Sequence, residues 1–293
     1  MNDMKNKIKD LGLDGVYPFQ SHFLQLENNN NLHYVDEGSG QPILMLHGNP
    51  TWSFYYRNLI QTFKPKFRTV VPDHMGCGLS DKPQDYEYTL ENHIQNAYKL
   101  IRFLDLKNII LIVHDWGGAI GFGLVTRYPE LFDKIVILNT AAYPSPHIPQ
   151  RINLLKQGKF GEWLTRKLNL FAWPATFMTT TKPLPKAIKQ GYLLPYNSWE
   201  NRVAVARFVQ DIPMDKDHPS YKTLSDIEDK LKTLKHPKLI LWGGKDFCFN
   251  QNFFEKWVNI YPDADAHWYA KAGHYVLEDA LDDVSLRIWD FIK

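Results

Sequence analysis

Five short apolar bursts recur along the chain with amphipathic segments between them: ILML (Ile43 to Leu46), FRTVV (Phe67 to Val71), NIILIV (Asn108 to Val113), KIVIL (Lys134 to Leu138) and KLILW (Lys238 to Trp242). A strand that reads as a continuous apolar run, rather than as alternating apolar and polar residues, has both faces buried. The helical patterns between the bursts supply the cover. The sequence therefore predicts an α/β chain, a mostly parallel sheet with helices on both faces. Ahead of these bursts, FLQLE and LHYVDEG flank Asn28 to Asn31, which reads as a hairpin turn, and Gly38-Ser39-Gly40 reads as another.

The alternation stops between Tyr143 and Tyr221, a proline- and tryptophan-rich stretch with helical fragments such as INLLKQGKFGEWLTRKL and no strand of the earlier kind. Insertions that carry function usually sit at the C-terminal edge of such a sheet. The expected organisation is a core of residues 19–142 and 222–293 with a helical cap of residues 143–221 inserted over a pocket. From Tyr143 through Asp211 the chain holds ten aromatic residues, and ten Lys/Arg against three Asp/Glu. The simplest expectation for most of these aromatics is helix-to-helix core, with some facing a cavity, and for the basic excess a solvated face.

At 293 residues, with 44% hydrophobic and 23% charged, the chain is long enough for one large core and an inserted lid. A formal net charge of +2, and no basic cluster interleaved with aromatics, argue against nucleic acid as a partner. The N-terminal MNDMKNKIKDLGLDG has no apolar core of a signal peptide, and no run approaches the roughly 18 to 20 apolar residues of a membrane span. A cytoplasmic location follows as the expectation. Cys77 and Cys248 belong to no metal-ligand spacing and read as free thiols, so neither a structural metal nor a cofactor is called for.

The chemistry centres on VHDWGG, where the NIILIV strand runs into a helical pattern. A strand, a sharp turn and a helix around a central reactive residue project that side chain alone above the sheet. Here the central residue is Asp115, and Gly117, Gly118, Gly121 and Gly123 let the following helix lie close to the sheet. These glycines do not spell a dinucleotide-binding spacing. An aspartate before a helix is otherwise a helix cap. Asp246 follows the KLILW strand and His274 follows the next expected strand, in the order nucleophile, acid, histidine. Asp246 is alternatively a turn residue, and Asn139, ending KIVIL, stands where an acid sits in some arrangements but is an amide.

An aspartate of ordinary pKa, about 4, is anionic at pH 7 and needs no base to become a nucleophile. It attacks carbon and forms an enzyme ester; His274, oriented by Asp246, then takes a proton from the water that hydrolyses the ester. Alkyl halides, epoxides and strained lactones are electrophiles that one displacement opens. The Trp116 indole and the Asn49 amide in LHGNPTW offer two neutral donors for a departing halide, and their backbone N–H groups an oxyanion hole. Trp116 as plain core and Asn49 as a turn residue are the bland readings. His47 is expected to shape its loop.

LHGNPTW, PDHMGCGLSDKP, VHDWGG, YPELF, LWGGKDF and AGHYVLED together resemble the haloalkane dehalogenases of the α/β-hydrolase fold, from roughly Phe19 to the C-terminus. The resemblance implies Asp115 as nucleophile, His274 as base, Asp246 as acid and Asn49 with Trp116 as the halide-stabilising pair, with Asp73 and the GCGLS loop structural. An acid at Asp246 together with Asn49 is similar to the third dehalogenase subfamily. GCGLSDKP, PYNSWENR, RFVQDIP and AGHYVLEDA further resemble one branch of it, the β-lactone decarboxylases of long-chain olefin biosynthesis. The activity this implies is hydrolytic dehalogenation of haloalkanes, with decarboxylation of cis-β-lactones to olefins as the alternative. The implied partners are an apolar substrate of either kind, a halide ion, and other lipid-pathway enzymes. Two further readings remain: an epoxide hydrolase, for which Tyr143, Tyr192 and Tyr196 are candidate proton donors, and a non-catalytic binding protein on the same scaffold.

Overall fold

A computed structural model describes residue 8 and residues 12–293. The N-terminal stretch read above for its lack of a signal segment lies, at residues 1–7 and 9–11, outside the described residues. Eight strands form one sheet: β1 (Ser21–Gln25), β2 (Asn31–Glu37), β3 (Pro42–Leu46), β4 (Arg68–Pro72), β5 (Ile109–Asp115), β6 (Phe132–Thr140), β7 (Lys238–Gly243) and β8 (Asp265–Tyr269). Their order is β1-β2-β4-β3-β5-β6-β7-β8. β2 runs antiparallel to both β1 and β4, and the remaining pairs are parallel. The expected α/β class is what the chain adopts. The asparagine run does make the β1–β2 turn, closed by the Leu26 N–H donating to the Asn30 carbonyl at 2.7 Å, while Asn31 already pairs with Gln25.

The apolar bursts are the strands, and their successive residues feed two different cores. Leu111 and Val113 of β5 pack with Ile94, Leu124 and Ile227 on one face of the sheet. Ile110 and Ile112 pack with Leu59, Val284 and Ile288 on the other. A strand with a core on each side has no wet face, so the polar alternation of an exposed sheet is absent.

Between β6 and β7 the chain leaves the sheet. Helices Gln150–Lys156, Gly158–Lys167 and Val203–Gln210 pack on one another. The fragment INLLKQGKFGEWLTRKL is two helices, broken where Gly158 takes a positive φ of 47°. Helix Pro219–Leu231 packs instead on helices Leu90–Phe103 and Trp116–Val125 of the sheet layer, and residue 221 lies inside it. No helix of the described residues is long and apolar enough to cross a membrane.

The expectation for the aromatics of this excursion needs correcting. Only Tyr143, Tyr192, Tyr196 and Phe208 are buried, whereas Phe160, Trp163, Trp173, Phe177 and Trp199 are exposed. The helices here are short, of seven to ten residues, and form a single layer over the sheet edge. One layer has an outer face that nothing covers.

Candidate active site

β5 carries its last residue, Asp115, into a backbone conformation of φ 51° and ψ −127°, at a register shift against β6. For a residue with a Cβ this region is strained, and such strain persists only where the surroundings over-determine it. Those surroundings are visible. A Cβ on Gly117 would stand 1.9 Å from the Leu46 carbonyl oxygen, and one on Gly118 1.9 Å from Thr140 Oγ1. The helix therefore starts in direct contact with β3 and β6, and the turn feeding it has one way to go. Thr140 also donates its hydroxyl to the Asp115 carbonyl. The Asp115 side chain makes no helix-cap hydrogen bond, so the capping alternative does not describe it.

The Asp115 carboxylate meets the loop after β3. Asn49 N–H donates to Oδ1 at 2.7 Å, and Gly48 lies so close that a Cβ there would fall 2.1 Å from the same oxygen. Oδ2 faces His274 Nε2 at 3.6 Å, outside direct hydrogen bonding. On its other side His274 Nδ1 bonds Asp246 Oδ2 at 2.7 Å. The three residues that the sequence singles out, from the ends of β5 and the loops after β7 and β8, thus converge.

Asp246 is a well-held acceptor. Its Oδ1 takes the N–H groups of Cys248 and Phe249 at 2.7 and 3.1 Å, and its Oδ2 takes the Asn139 amide at 3.0 Å besides His274. Asn139 also accepts from Gly243 N–H at 2.7 Å, tying β6 to β7. The amide that stood as an alternative acid position therefore fixes Asp246 in place. Sequence reasoning gave it no such part, and an amide at a strand end carries no signal of the loop it will meet.

Burial pushes the Asp115 pKa above its ordinary value; the His274 charge and the Asn49 and Trp116 N–H groups oppose that rise without cancelling it. The ordinary carboxyl pKa expected from sequence is corrected accordingly, the cause being loss of water around the group. Burial likewise favours neutral His274, but the Asp246 charge and hydrogen bond, followed by the Asp115 charge, outweigh it and leave its pKa raised.

Trp116 borders the same cavity as Asp115 and Asn49. One Asn49 amide N–H is already donated to the Val205 carbonyl at 3.1 Å, which leaves the other for a ligand. His47 donates from Nδ1 to the Gly48 carbonyl at 2.7 Å and accepts the His74 N–H on Nε2 at 2.9 Å, so both nitrogens hold the loop together as expected. Asp73 accepts from Ser53, Leu79 and His33 in full burial, matching its expected structural part.

The cavity above Asp115 holds about 390 Å³, within the usual range for a small-molecule site. Asn49, Asp115, Trp116 and His274 form its polar end, while Leu155, Phe171, Val209 and Phe253 are among its apolar walls. Of the three tyrosines considered for an epoxide, only Tyr143 lines it, and its hydroxyl is turned to the Phe253 carbonyl at 3.4 Å. Tyr192 is bonded to Glu278, and Tyr196 to the Thr51 carbonyl at 3.2 Å. A second group was not foreseen: Arg57 and Glu278 form a buried bidentate pair at 2.6 and 2.9 Å behind the His274 loop. Both cysteines are free, and no cluster of metal-ligating side chains occurs among the described residues.

The sequence profile of the α/β hydrolase fold matches residues 41–281. A cis-3-alkyl-4-alkyloxetan-2-one decarboxylase of Shewanella oneidensis is 46% identical over 96% of this chain and 90% of its own length. Haloalkane dehalogenase 2 of Mycobacterium tuberculosis is 28% identical over 93% of this chain and 95% of its own. Among solved structures, the haloalkane dehalogenase DbeA from Bradyrhizobium elkani superimposes with a TM-score of 0.87 at 21% identity, covering 94% of this chain and 97% of that one. At that identity the likeness speaks for the fold.

Proposed function

The chain belongs to the α/β-hydrolase fold family, as an enzyme of the haloalkane dehalogenase-like kind, and we propose that it opens cis-β-lactones through Asp115 and releases carbon dioxide and an alkene. The observation that carries this reading is the setting of the carboxylate: Oδ1 is held by a backbone N–H at 2.7 Å, Oδ2 faces His274 at 3.6 Å, and the residue lines a largely apolar cavity. The likeness to the Shewanella lactone decarboxylase, at 46% identity over nearly the whole chain, supports this substrate class over the one expected first from sequence.

Asp115 Oδ2 attacks the saturated ring carbon bonded to the ring oxygen, not the carbonyl carbon. That carbon–oxygen bond breaks, its electron pair leaves as the lactone's own carboxylate, and an enzyme ester remains. The electrons of the carbon–carboxylate bond then form the alkene, Asp115 leaves with the ester's electron pair, and carbon dioxide departs. No water is consumed. His274 and Asp246 hold the charge around Asp115 and keep the attacking oxygen in place. The helical layer between β6 and helix Pro219–Leu231 acts as the cap that keeps the cavity dry, and the reaction takes place in the cytoplasm alongside other lipid-pathway enzymes.

Dehalogenation is the second reading, favoured by the unspent Asn49 N–H and the Trp116 indole beside Asp115. There a halide leaves between these donors, and His274 draws a proton from water that hydrolyses the ester at the Asp115 carbonyl. The oxygen that becomes the oxyanion in that step is Oδ1, already bound by Asn49 N–H. Incubation with a cis-3,4-dialkyl β-lactone and, separately, with a bromoalkane panel separates the two. Alkene in excess over bromide supports the first reading, bromide alone replaces it with the second, and Asp115→Asn abolishes either product.

A further inference from the structure

Half of the aromatics in the helical layer point outward, and their neighbours are cations. On helix Gly158–Lys167, Phe160, Trp163 and Lys167 are spaced to share one stripe, and all three are exposed. On helix Ala172–Met178, Trp173 and Phe177 are exposed at 54% and 47%, with ring centroids 5.0 Å apart. Residues 144–192 contain eight Lys/Arg and one carboxylate, Glu162, which is taken by Arg166 at 2.6 Å. Arg151, Lys159, Lys167 and Lys186 are exposed and have no carboxylate partner among the described residues.

The cavity opens on this same side. Leu154 and Leu170 line it and are also exposed, at 51% and 39%, and Arg151 stands at the rim beside them. Outward tryptophan and phenylalanine with flanking lysine and arginine is the composition of a surface that lies at a lipid headgroup boundary. A second copy of the chain is a poor occupant, because the exposed Arg151, Lys159 and Lys167 of one face would meet the same cations on the other. We infer that the outer face of helices 150–156, 158–167 and 172–178 docks on an anionic lipid surface and sets the mouth of the Asp115 cavity against it. Apolar substrate then passes from lipid to cavity without crossing water. Docking is measured without turnover, so its outcome is separate from that of the chemistry proposed for Asp115.

The test is co-sedimentation of the full chain with extruded vesicles. Vesicles of phosphatidylglycerol with phosphatidylcholine are expected to pull down the protein at low salt, those of phosphatidylcholine alone several-fold less, and raising salt to about 0.5 M to release it. Lys159→Glu with Lys167→Glu is expected to weaken anionic-vesicle partition by roughly ten-fold or more, and Trp173→Ser with Phe177→Ser to weaken partition to both vesicle types. Circular dichroism melts confirm that these exposed substitutions leave the fold intact. Equal sedimentation with and without anionic vesicles, or folded variants that bind like the parent, overturns the inference. So does a dimer that Trp173→Ser dissociates, or a chain that ignores vesicles yet retains polyglutamate.

Discussion

The two oxygens of the Asp115 carboxylate have different neighbours: Oδ1 accepts Asn49 N–H at 2.7 Å, and Oδ2 faces His274 Nε2 at 3.6 Å across the foot of the cavity. In the proposed scheme, covalent attack by Oδ2 removes the negative charge of Asp115, which is one of the contributions holding the His274 pKa up. Esterification thereby makes the imidazole more readily neutral, as a base must be. In His274→Phe, a bromoalkane should leave its alkyl mass on the peptide containing Asp115, seen by mass spectrometry. The lactone should still yield alkene, because its second step draws on no water. An unmodified peptide after exposure to a bromoalkane that the parent enzyme turns over would remove the ester from the scheme. For hydrolysis of that ester the rate falls as pH drops through the raised His274 pKa, since protonation ends base catalysis. Asp246→Asn removes the charge that does most to raise it, so the acidic limb of the pH–rate profile should move to lower pH while the maximal rate drops. An unmoved limb would show that another group titrates there.

The turn at the end of β5 explains why the helix behind Asp115 is glycine-rich. Gly117 and Gly118 permit backbone contact that the positive φ at Asp115 requires on its far side. Gly117→Ala puts a methyl 1.9 Å from the Leu46 oxygen, which is backbone and has little freedom to yield. The expected cost is at least roughly 1–3 kcal/mol of stability, read as a lowered melting temperature, with loss of turnover as the elbow shifts. Strand and elbow positions were readable in advance because each rests on local pattern: runs of apolar residues, and small residues on fixed spacings. The Asn139 clamp was not readable. It links the end of β6 to Gly243 and Asp246 more than a hundred residues away, and nothing in an asparagine after a strand says which loop will come to lie beside it.

Behind the site, the Arg57–Glu278 pair joins the segment after β3 to the helix that follows His274, and Tyr192 of the helical layer is bonded to the same glutamate. One buried pair thus fastens three parts of the molecule around the His274 loop. Glu278→Leu should destabilise the fold by about 3–5 kcal/mol, because Arg57 is then left charged and unpaired in the interior. A matched Arg57→Leu, Glu278→Leu double variant should recover much of that loss in chemical denaturation. No recovery would mean that the pair's partners, rather than its charge, hold the loop.

The order of elements, the parallel sheet and the placing of Asp115, Asp246 and His274 after successive strands were written in the chain itself, since hydrophobic periodicity and turn chemistry act between near neighbours. The resemblance carried by six separated motifs supplied the choice of substrates. Tertiary structure decided what depends on distant segments meeting: the Asn139 clamp, the spent and unspent N–H groups of Asn49, the raised Asp115 pKa, and the outward aromatics of the helical layer. Burial, desolvation and long-range hydrogen bonds are properties of the packed molecule, so a local pattern of residues does not contain them.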